Sequence, residues 1–234
     1  MPTVNDPAAL RKAYVAARAN LAEVPTFMVQ ARQTVFRSIN PDFLRKPAAG
    51  GSISLSATIP LLRPYDSSRE GKDRFTGPSR NTDVPQCGGL YCAMQQQALV
   101  NESAHYSRKA HAWALSGRCV LRLRITGSIF VADLSPHEPH ALRFLRSLGP
   151  KTWEQMNDPH DCSVARGIGL ACAQSGFLHG LSVQTVRTSN RSVEQRGDNL
   201  VLFSSGPPIR CVEVDQVCYF GKAYAPETFT VARP

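Results

Sequence analysis

The chain has 234 residues, of which 42% are hydrophobic and 19% are charged, a composition typical of a globular protein rather than a disordered one. No stretch approaches the roughly 20 apolar residues of a membrane span, and residues 1–30 lack the basic start and apolar core of a secretory signal. The net charge is +9, and arginine is more frequent than lysine. This charge leaves three partner classes open, ranked in this order: a phosphate-bearing small ligand, an acidic protein and nucleic acid. Nucleic acid is ranked last because the sequence has no long basic run, and a solvated basic surface without a partner is a further alternative.

The cysteines and histidines indicate a reduced, cytoplasmic protein without a metal site. The seven cysteines are irregularly spaced, and none forms a CxxC unit. His137 and His140 have a spacing that a metal could use on a helix, but Pro139 interrupts it. We therefore predict no metal and a cytoplasmic location.

Hydrophobic periodicity and turn residues predict a mixture of helices and strands. The predicted helices cover residues 6–23, with Asp6 as the cap, then 94–106, 139–148 and 161–176. The predicted strands are 35–37, 90–93, 118–125, 129–134, 178–187 and 200–203, with a weaker candidate in 52–62 and a final pair at 212–217 and 219–220.

The stretch from Arg74 to Tyr106 contains the strongest chemical signal. Its helix places Gln95, Leu99 and Glu102 on one face, close in sequence to the strand residue Tyr91. A carboxylate on the apolar side of a helix must be desolvated or paired, so Glu102 is a candidate for chemistry or for an ion pair.

Familiar nucleotide and hydrolase signatures are missing from the sequence. It has no GxxxxGK[ST] loop, no GxGxxG fingerprint, no GxSxG elbow and no HExxH helix. The function must therefore be inferred from the order of less specific motifs.

Six short motifs follow one another in an order that resembles the RES-domain family, over roughly residues 35–205. They are FR at 36–37, RF at 74–75, GGLYCA at 88–93, ALVNE at 98–102, QTVR at 184–187 and DNLVLF at 198–203. Proteins of this family are mostly bacterial toxins, often paired with an antitoxin. They act on NAD+, which some hydrolyse or phosphorolyse, while others transfer ADP-ribose to a protein.

The resemblance implies an α+β fold with a mixed, split β-sheet and flanking helices, similar to ADP-ribosyltransferases. It divides the chain into an N-terminal helical extension, residues 1–34, and a RES-like NAD-binding catalytic domain, residues 35–234. It also implies the site residues, which are catalytic Glu102, Arg74 and Tyr91, and NAD-binding Arg37, Arg74, Tyr91, Thr185 and Arg187.

The chemistry of these residues agrees with what the resemblance implies. Cleavage of the nicotinamide–ribose bond builds positive charge on the ribose, which the Glu102 carboxylate stabilises. Arg37 and Arg74 would clamp the diphosphate, and Tyr91 would stack on nicotinamide or its ribose. Thr185 would hydrogen-bond a ribose hydroxyl or the carboxamide.

Two positions depart from the family pattern. Ser38 stands where an aromatic or small residue varies, and Thr185 replaces serine, so the hydroxyl is kept while a methyl group is added. Arg187 has an alternative interpretation, in which it pairs with Glu102 and is structural.

The resemblance therefore implies an NAD+ glycohydrolase toxin that is neutralised by an antitoxin or immunity protein. It would act in the cytoplasm, either of the producing cell or of a target cell after injection. NAD+ is its substrate, and it needs no further cofactor. Transfer of ADP-ribose to a protein and NAD+ phosphorolysis remain alternatives. A non-enzymatic alternative is a basic module that binds RNA or an acidic protein, suggested by the arginines of 118–125 (RCVLRLRI).

Overall fold

A computed structural model describes ten segments of the chain. They are residues 6–44, 51–63, 74–76, 84–107, 115–135, 138–158, 160–184, 198–204, 209–220 and 226–232.

The described segments contain both helices and strands, as the periodicity predicted. The helices are α1 (Pro7–Ala19), α2 (Leu55–Thr58), α3 (Gln96–Ser107), α4 (Pro139–Leu148), α5 (Thr152–Met156) and α6 (Ser163–Ala173). The strands are β1 (Thr26–Val29), β2 (Thr34–Ile39), β3 (Ser52–Ser54), β4 (Gly88–Ala93), β5 (Arg118–Ile125), β6 (Ile129–Asp133), β7 (Gly180–Gln184), β8 (Asp198–Ser204), β9 (Val212–Phe220) and β10 (Pro226–Ala232).

The described strands form one mixed sheet in the order β1-β6-β7-β8-β4-β2-β5-β9-β10-β3. The pairs β6–β7 and β3–β10 are parallel, whereas the other neighbouring pairs are antiparallel. The α+β class with a mixed sheet is therefore confirmed.

The sheet is split between β4 and β2. Within the described residues, Phe36 and Ala93 are the single paired position between these two strands. Elsewhere β2 pairs along its whole length with β5, and β4 pairs along its whole length with β8. The two strands therefore separate beyond Phe36 and Ala93, and their separation opens the sheet.

One hydrophobic cluster joins the two halves of this sheet. Side chains on one face of each half contribute to it, and strand alternation sends the intervening residues to the other face. Its buried members include Val35 and Ile39 of β2, Leu121 and Leu123 of β5, Leu90 of β4, Leu200 and Leu202 of β8, and Val131 of β6.

Helix α3 covers the opposite face near the split. Its Ala98 and Leu99 are buried against Ala93, Val120 and Phe220. This packing fixes the orientation of α3 and therefore of the next turn, which carries Glu102.

Helices α1 and α6 cover the other part of the same face. Asp6 caps α1 as predicted, and its backbone N–H donates to the Ser163 hydroxyl at 2.7 Å. The two helices approach closely at Gly167, where a Cβ atom would lie 2.5 Å from the Leu10 carbonyl oxygen. Leu10, Tyr14 and Ala17 of α1 belong to the same cluster as Ala132 and Leu181 of the sheet.

Several regions differ from the sequence-based expectation, which did not include β1, β10 or α5. Residues 52–62 contain only the short strand β3, followed by α2 and a 3-10 turn, Ile59–Leu62, because Leu61 and Leu62 enter the core together rather than alternately. The expected strand pair at 212–217 and 219–220 is one continuous strand, β9, whose hairpin partner is β10.

Candidate active site

A cavity of about 390 Å³ lies where β2 and β4 separate, within the roughly 300–1,000 Å³ typical of small-molecule sites. It is bounded by the two strands, by α3 and by the start of β5. The described residues that line it are Phe36, Arg37, Ser38, Tyr91, Cys92, Ala93, Leu99, Glu102, Ser103, Arg118 and Asn199.

Arg37 bridges the gap between the separated strands. Its Nη1 donates a hydrogen bond of 3.2 Å to the carbonyl oxygen of Tyr91 on β4. A side chain thus occupies the place where a regular sheet would have a backbone bond. The bridge holds the guanidinium at the cavity wall, where the sequence predicted an arginine that binds ligand.

Tyr91 connects the cavity to the segment of residues 74–76. Its hydroxyl accepts a 2.8 Å hydrogen bond from the backbone N–H of Phe75. The phenol is therefore anchored at its far end, which fixes the ring as part of the cavity wall.

Glu102 is half-buried on α3 and faces β8. Its Oε1 accepts a hydrogen bond of 2.9 Å from Nδ2 of Asn199, which lies directly opposite Ala93 in the β4–β8 ladder. Asn199 is only 8% exposed. The carboxylate is thus held above the point at which the sheet splits.

Arg74 lies outside the residues that line this cavity. Its Nη2 donates instead to the carbonyl oxygen of Asp158, at 3.2 Å. The pKa of the Asp158 carboxyl is lowered, mainly by a hydrogen bond from the His160 backbone N–H, and the Arg74 charge adds to this lowering. Arg74 therefore adjoins the site through its neighbour Phe75, while its guanidinium contacts the segment that precedes α6.

Arg166 of α6 contacts the segment of residues 74–76. It is completely buried, and its Nε donates to the Thr76 carbonyl oxygen at 3.1 Å. A Cβ atom at Gly169 would lie 2.1 Å from the Phe75 carbonyl oxygen, so only glycine allows the helix to approach this closely. Residues 74–76 are thus fixed between α6 and Tyr91.

Cys92 lines the cavity as an unreactive thiol. Burial raises the pKa of Cys92 to about 12, although the nearby Arg37 charge acts in the opposite direction. The thiol stays protonated at neutral pH, so it is not a nucleophile there.

The structure brings together Arg37, Tyr91 and Glu102 from the sequence-predicted set. Thr185 and Arg187 lie outside the described residues. The three residues come from three different elements, β2, β4 and α3, which meet at the split of the sheet.

Ser38, Arg118 and Asn199 are among the lining residues that were not predicted as site residues. Nε of Arg118 donates to the Ser38 hydroxyl at 3.0 Å. The sequence signal for Asn199 was its place immediately before the apolar run LVLF, where a polar residue is followed by a buried strand. Arg118 had a weaker signal as the first of several arginines alternating with apolar residues.

No model of a known protein family matches the chain, and no curated protein is similar enough in sequence to count as a relative. In the part of the chain that the structure describes, no group of three or more His, Cys, Asp or Glu side chains is arranged to hold a metal ion. None of the described helices has the length and hydrophobicity that crossing a membrane requires.

The cavity combines groups that are suited to a ligand containing both a phosphate and a sugar. The guanidinium groups of Arg37 and Arg118 supply planar donors for phosphate oxygens, and the anchored Tyr91 supplies a ring for stacking. The carboxylate supplies a negative charge that can stabilise a developing cation.

Proposed function

We propose that this chain is a RES-like enzyme that binds NAD+ in the cavity and cleaves its nicotinamide–ribose bond. The observation that carries the proposal is the convergence of Arg37, Tyr91 and Glu102 on one cavity. These residues belong to three separate motifs of the resemblance, FR at 36–37, GGLYCA at 88–93 and ALVNE at 98–102, and Arg37 is 54 residues from Tyr91 in the sequence. The split between β4 and β2 also suits the ADP-ribosyltransferase-like fold that the resemblance implies.

In the proposed reaction the C1′–N bond breaks, and its electron pair moves to the nicotinamide nitrogen, which becomes neutral. The ribose becomes an oxocarbenium ion, which the Glu102 carboxylate stabilises. A water oxygen then attacks C1′ and releases its proton, which gives ADP-ribose. The hydrogen bond from Asn199 holds the carboxylate in position during this charge development.

An enzyme that consumes NAD+ is toxic to the cell that makes it, so we further propose a cognate antitoxin or immunity protein. This partner would cover the cavity at Glu102. An acidic face on the partner would complement the chain's net charge of +9.

Nicotinamide release by the purified protein tests the proposal. We expect rapid release by the wild type and a loss of at least about 100-fold in Glu102→Gln, which keeps the size of the side chain but removes its charge. Glu154→Gln, on the exposed surface of α5, is the matched control and should retain the wild-type rate. Equal rates in Glu102→Gln and the wild type would contradict the proposed role.

The reaction products distinguish the three acceptors. ADP-ribose indicates water, and ADP-ribose 1″-phosphate in phosphate buffer indicates phosphorolysis. Labelling of lysate proteins by biotin-NAD+ indicates protein ADP-ribosylation. If none of these products forms, and expression at confirmed protein levels is harmless to cells, the proposed function is wrong.

The non-enzymatic alternative depended on the arginines of β5. Arg122 and Arg124 form ion pairs with Asp215 and Glu213 of β9, and Nε of Arg118 contacts Ser38 inside the cavity. The charges of Arg122 and Arg124 are thus compensated on the sheet itself, which makes this strand a poorer binding face for RNA than its sequence indicated.

A further inference from the structure

We infer that Arg118, together with Arg37, binds the diphosphate of the dinucleotide, in the role that the sequence indicated for Arg74. This inference rests on the proposed function for the identity of the ligand. Its geometric basis is the placement of three arginines relative to one cavity.

Arg118 lies at the first position of β5, and Arg37 is on the adjacent β2. The two strands pair over six positions, with Arg37 opposite Leu121 and Ser38 opposite Val120. Both residues line the cavity. Arg37 pairs with Leu121, which is three positions from Arg118, so strand alternation places their side chains on different faces of the sheet.

Ser38 orients Arg118. The bond from Nε to the Ser38 hydroxyl is 3.0 Å long and uses the inner edge of the guanidinium. A guanidinium has five N–H donors in a planar fork, so an arginine that is positioned through Nε can bind a phosphate through its Nη groups. The departure from the family pattern at Ser38 therefore has a role in this chain.

The charges of the cavity favour the same assignment. Among the described lining residues, Arg37 and Arg118 are cationic and Glu102 is anionic, so the described lining has a net positive charge, which suits a phosphate-bearing ligand. The Arg74 guanidinium instead contacts the Asp158 carbonyl oxygen and lies close to the Asp158 carboxylate. Its hydrogen bonding and its charge are thus directed away from the cavity.

Calorimetric titration with ADP-ribose tests the inference, because binding does not require turnover. We expect Arg118→Ala to weaken ADP-ribose binding by about 10-fold to 100-fold, as for the loss of a charge-assisted hydrogen bond. Arg118→Lys should recover only part of the affinity, since it keeps the charge but loses the planar fork. Arg74→Ala should weaken binding less than Arg118→Ala.

Two controls make the result specific. Arg122→Ala removes an arginine from the same strand outside the cavity, and it should bind ADP-ribose within about twofold of the wild type. Nicotinamide riboside lacks the diphosphate, so its affinity should not change in Arg118→Ala. Thermal unfolding of each variant verifies that it is folded.

The inference is overturned if folded Arg118→Ala and Arg118→Lys bind ADP-ribose as tightly as the wild type. It is also overturned if Arg118→Ala loses nicotinamide riboside and ADP-ribose equally. Failure of the proposed function is a different result, in which the wild type binds neither NAD+ nor ADP-ribose.

Discussion

Asn199 is a buried residue, and the nitrogen of its side-chain amide donates the hydrogen bond to Glu102. A carboxylate accepts hydrogen bonds, so Nδ2 must face Glu102 and Oδ1 must point elsewhere. Among the described residues, Oδ1 is buried without a hydrogen-bond partner. Such an acceptor costs roughly 1–3 kcal/mol. Because its buried Oδ1 lowers stability, Asn199 is better explained by its action on Glu102 than by a contribution to stability.

This explanation predicts a separation of activity from stability in Asn199→Leu. Leucine has a similar shape and lacks the unpaired acceptor, so we expect the thermal unfolding temperature to stay the same or to rise. We expect kcat for nicotinamide release to fall by at least about 10-fold, because Glu102 loses its orientation. Asn199→Asp provides a second readout, since a second carboxylate beside Glu102 should move the pH profile. If Asn199→Leu instead melts several degrees lower with unchanged kcat, the amide is structural.

At the scale of secondary-structure elements, α6 positions the site without lining the cavity. Gly167 allows α1 to pack against one side of it, and Gly169 allows the Phe75 backbone to pack against the other. Arg166 adds a buried hydrogen bond to Thr76. The helix therefore determines where residues 74–76 lie, and through Phe75 it determines where the Tyr91 hydroxyl is held.

Gly169→Ala tests this dependence. The added methyl group meets backbone rather than a flexible side chain, so we expect a loss of about 1–3 kcal/mol in the free energy of unfolding. For a chain of this size that lowers the unfolding temperature by several degrees. Gly127→Ala is the control, because the methyl group added there would have no other atom within 4 Å. Equal unfolding temperatures in the two variants would contradict the close approach.

The sequence predicted most elements of this fold because their signals are local. Asp6 before Pro7 marks the start of α1, and the spacing of Val164, Ile168 and Cys172 marks α6. Residues 52–62 were harder, since an apolar run without strict alternation suits a strand or a turn equally well. Local patterns also do not encode which strands separate.

The site was predictable only in part for the same reason. Glu102 and Arg37 were predicted from the motifs in which they lie, whereas Arg118 and Asn199 enter the site through tertiary placement. The direction of the Arg74 side chain depends on Asp158, which is 84 residues away. Neither spacing nor composition contains that information.

At the scale of the whole molecule, buried thiols make the free energy of unfolding vary with pH in the alkaline range. Burial raises the pKa of Cys172 to about 12 and that of Cys92 to about 12, and it raises the pKa of Cys87 to about 11. The ordinary value for each thiol is 9.0. The folded state therefore keeps its thiols protonated at a pH where the unfolded chain loses those protons.

We predict that the free energy of unfolding is insensitive to these thiols below pH 9 and declines as the pH rises towards 11–12. Each fully buried thiol should contribute about 1 kcal/mol to the decline at pH 10. Urea unfolding at pH 8 and pH 10 measures this. Cys172→Ala should be less stable at both pH values but should show a smaller decline between them. An unchanged decline in this variant would contradict the assignment.

The order of the strands has a consequence for the synthesis of the protein. β3 ends at Ser54, and its parallel partner β10 begins at Pro226, roughly 170 residues later. At ribosomal rates of about 5–20 residues per second, β10 is synthesised roughly 10–30 s after β3. The last described cavity residue, Asn199, is made before β10. All described cavity-lining residues are therefore translated before β10 is available to pair with β3. The nascent chain thus contains these residues before its sheet can be completed.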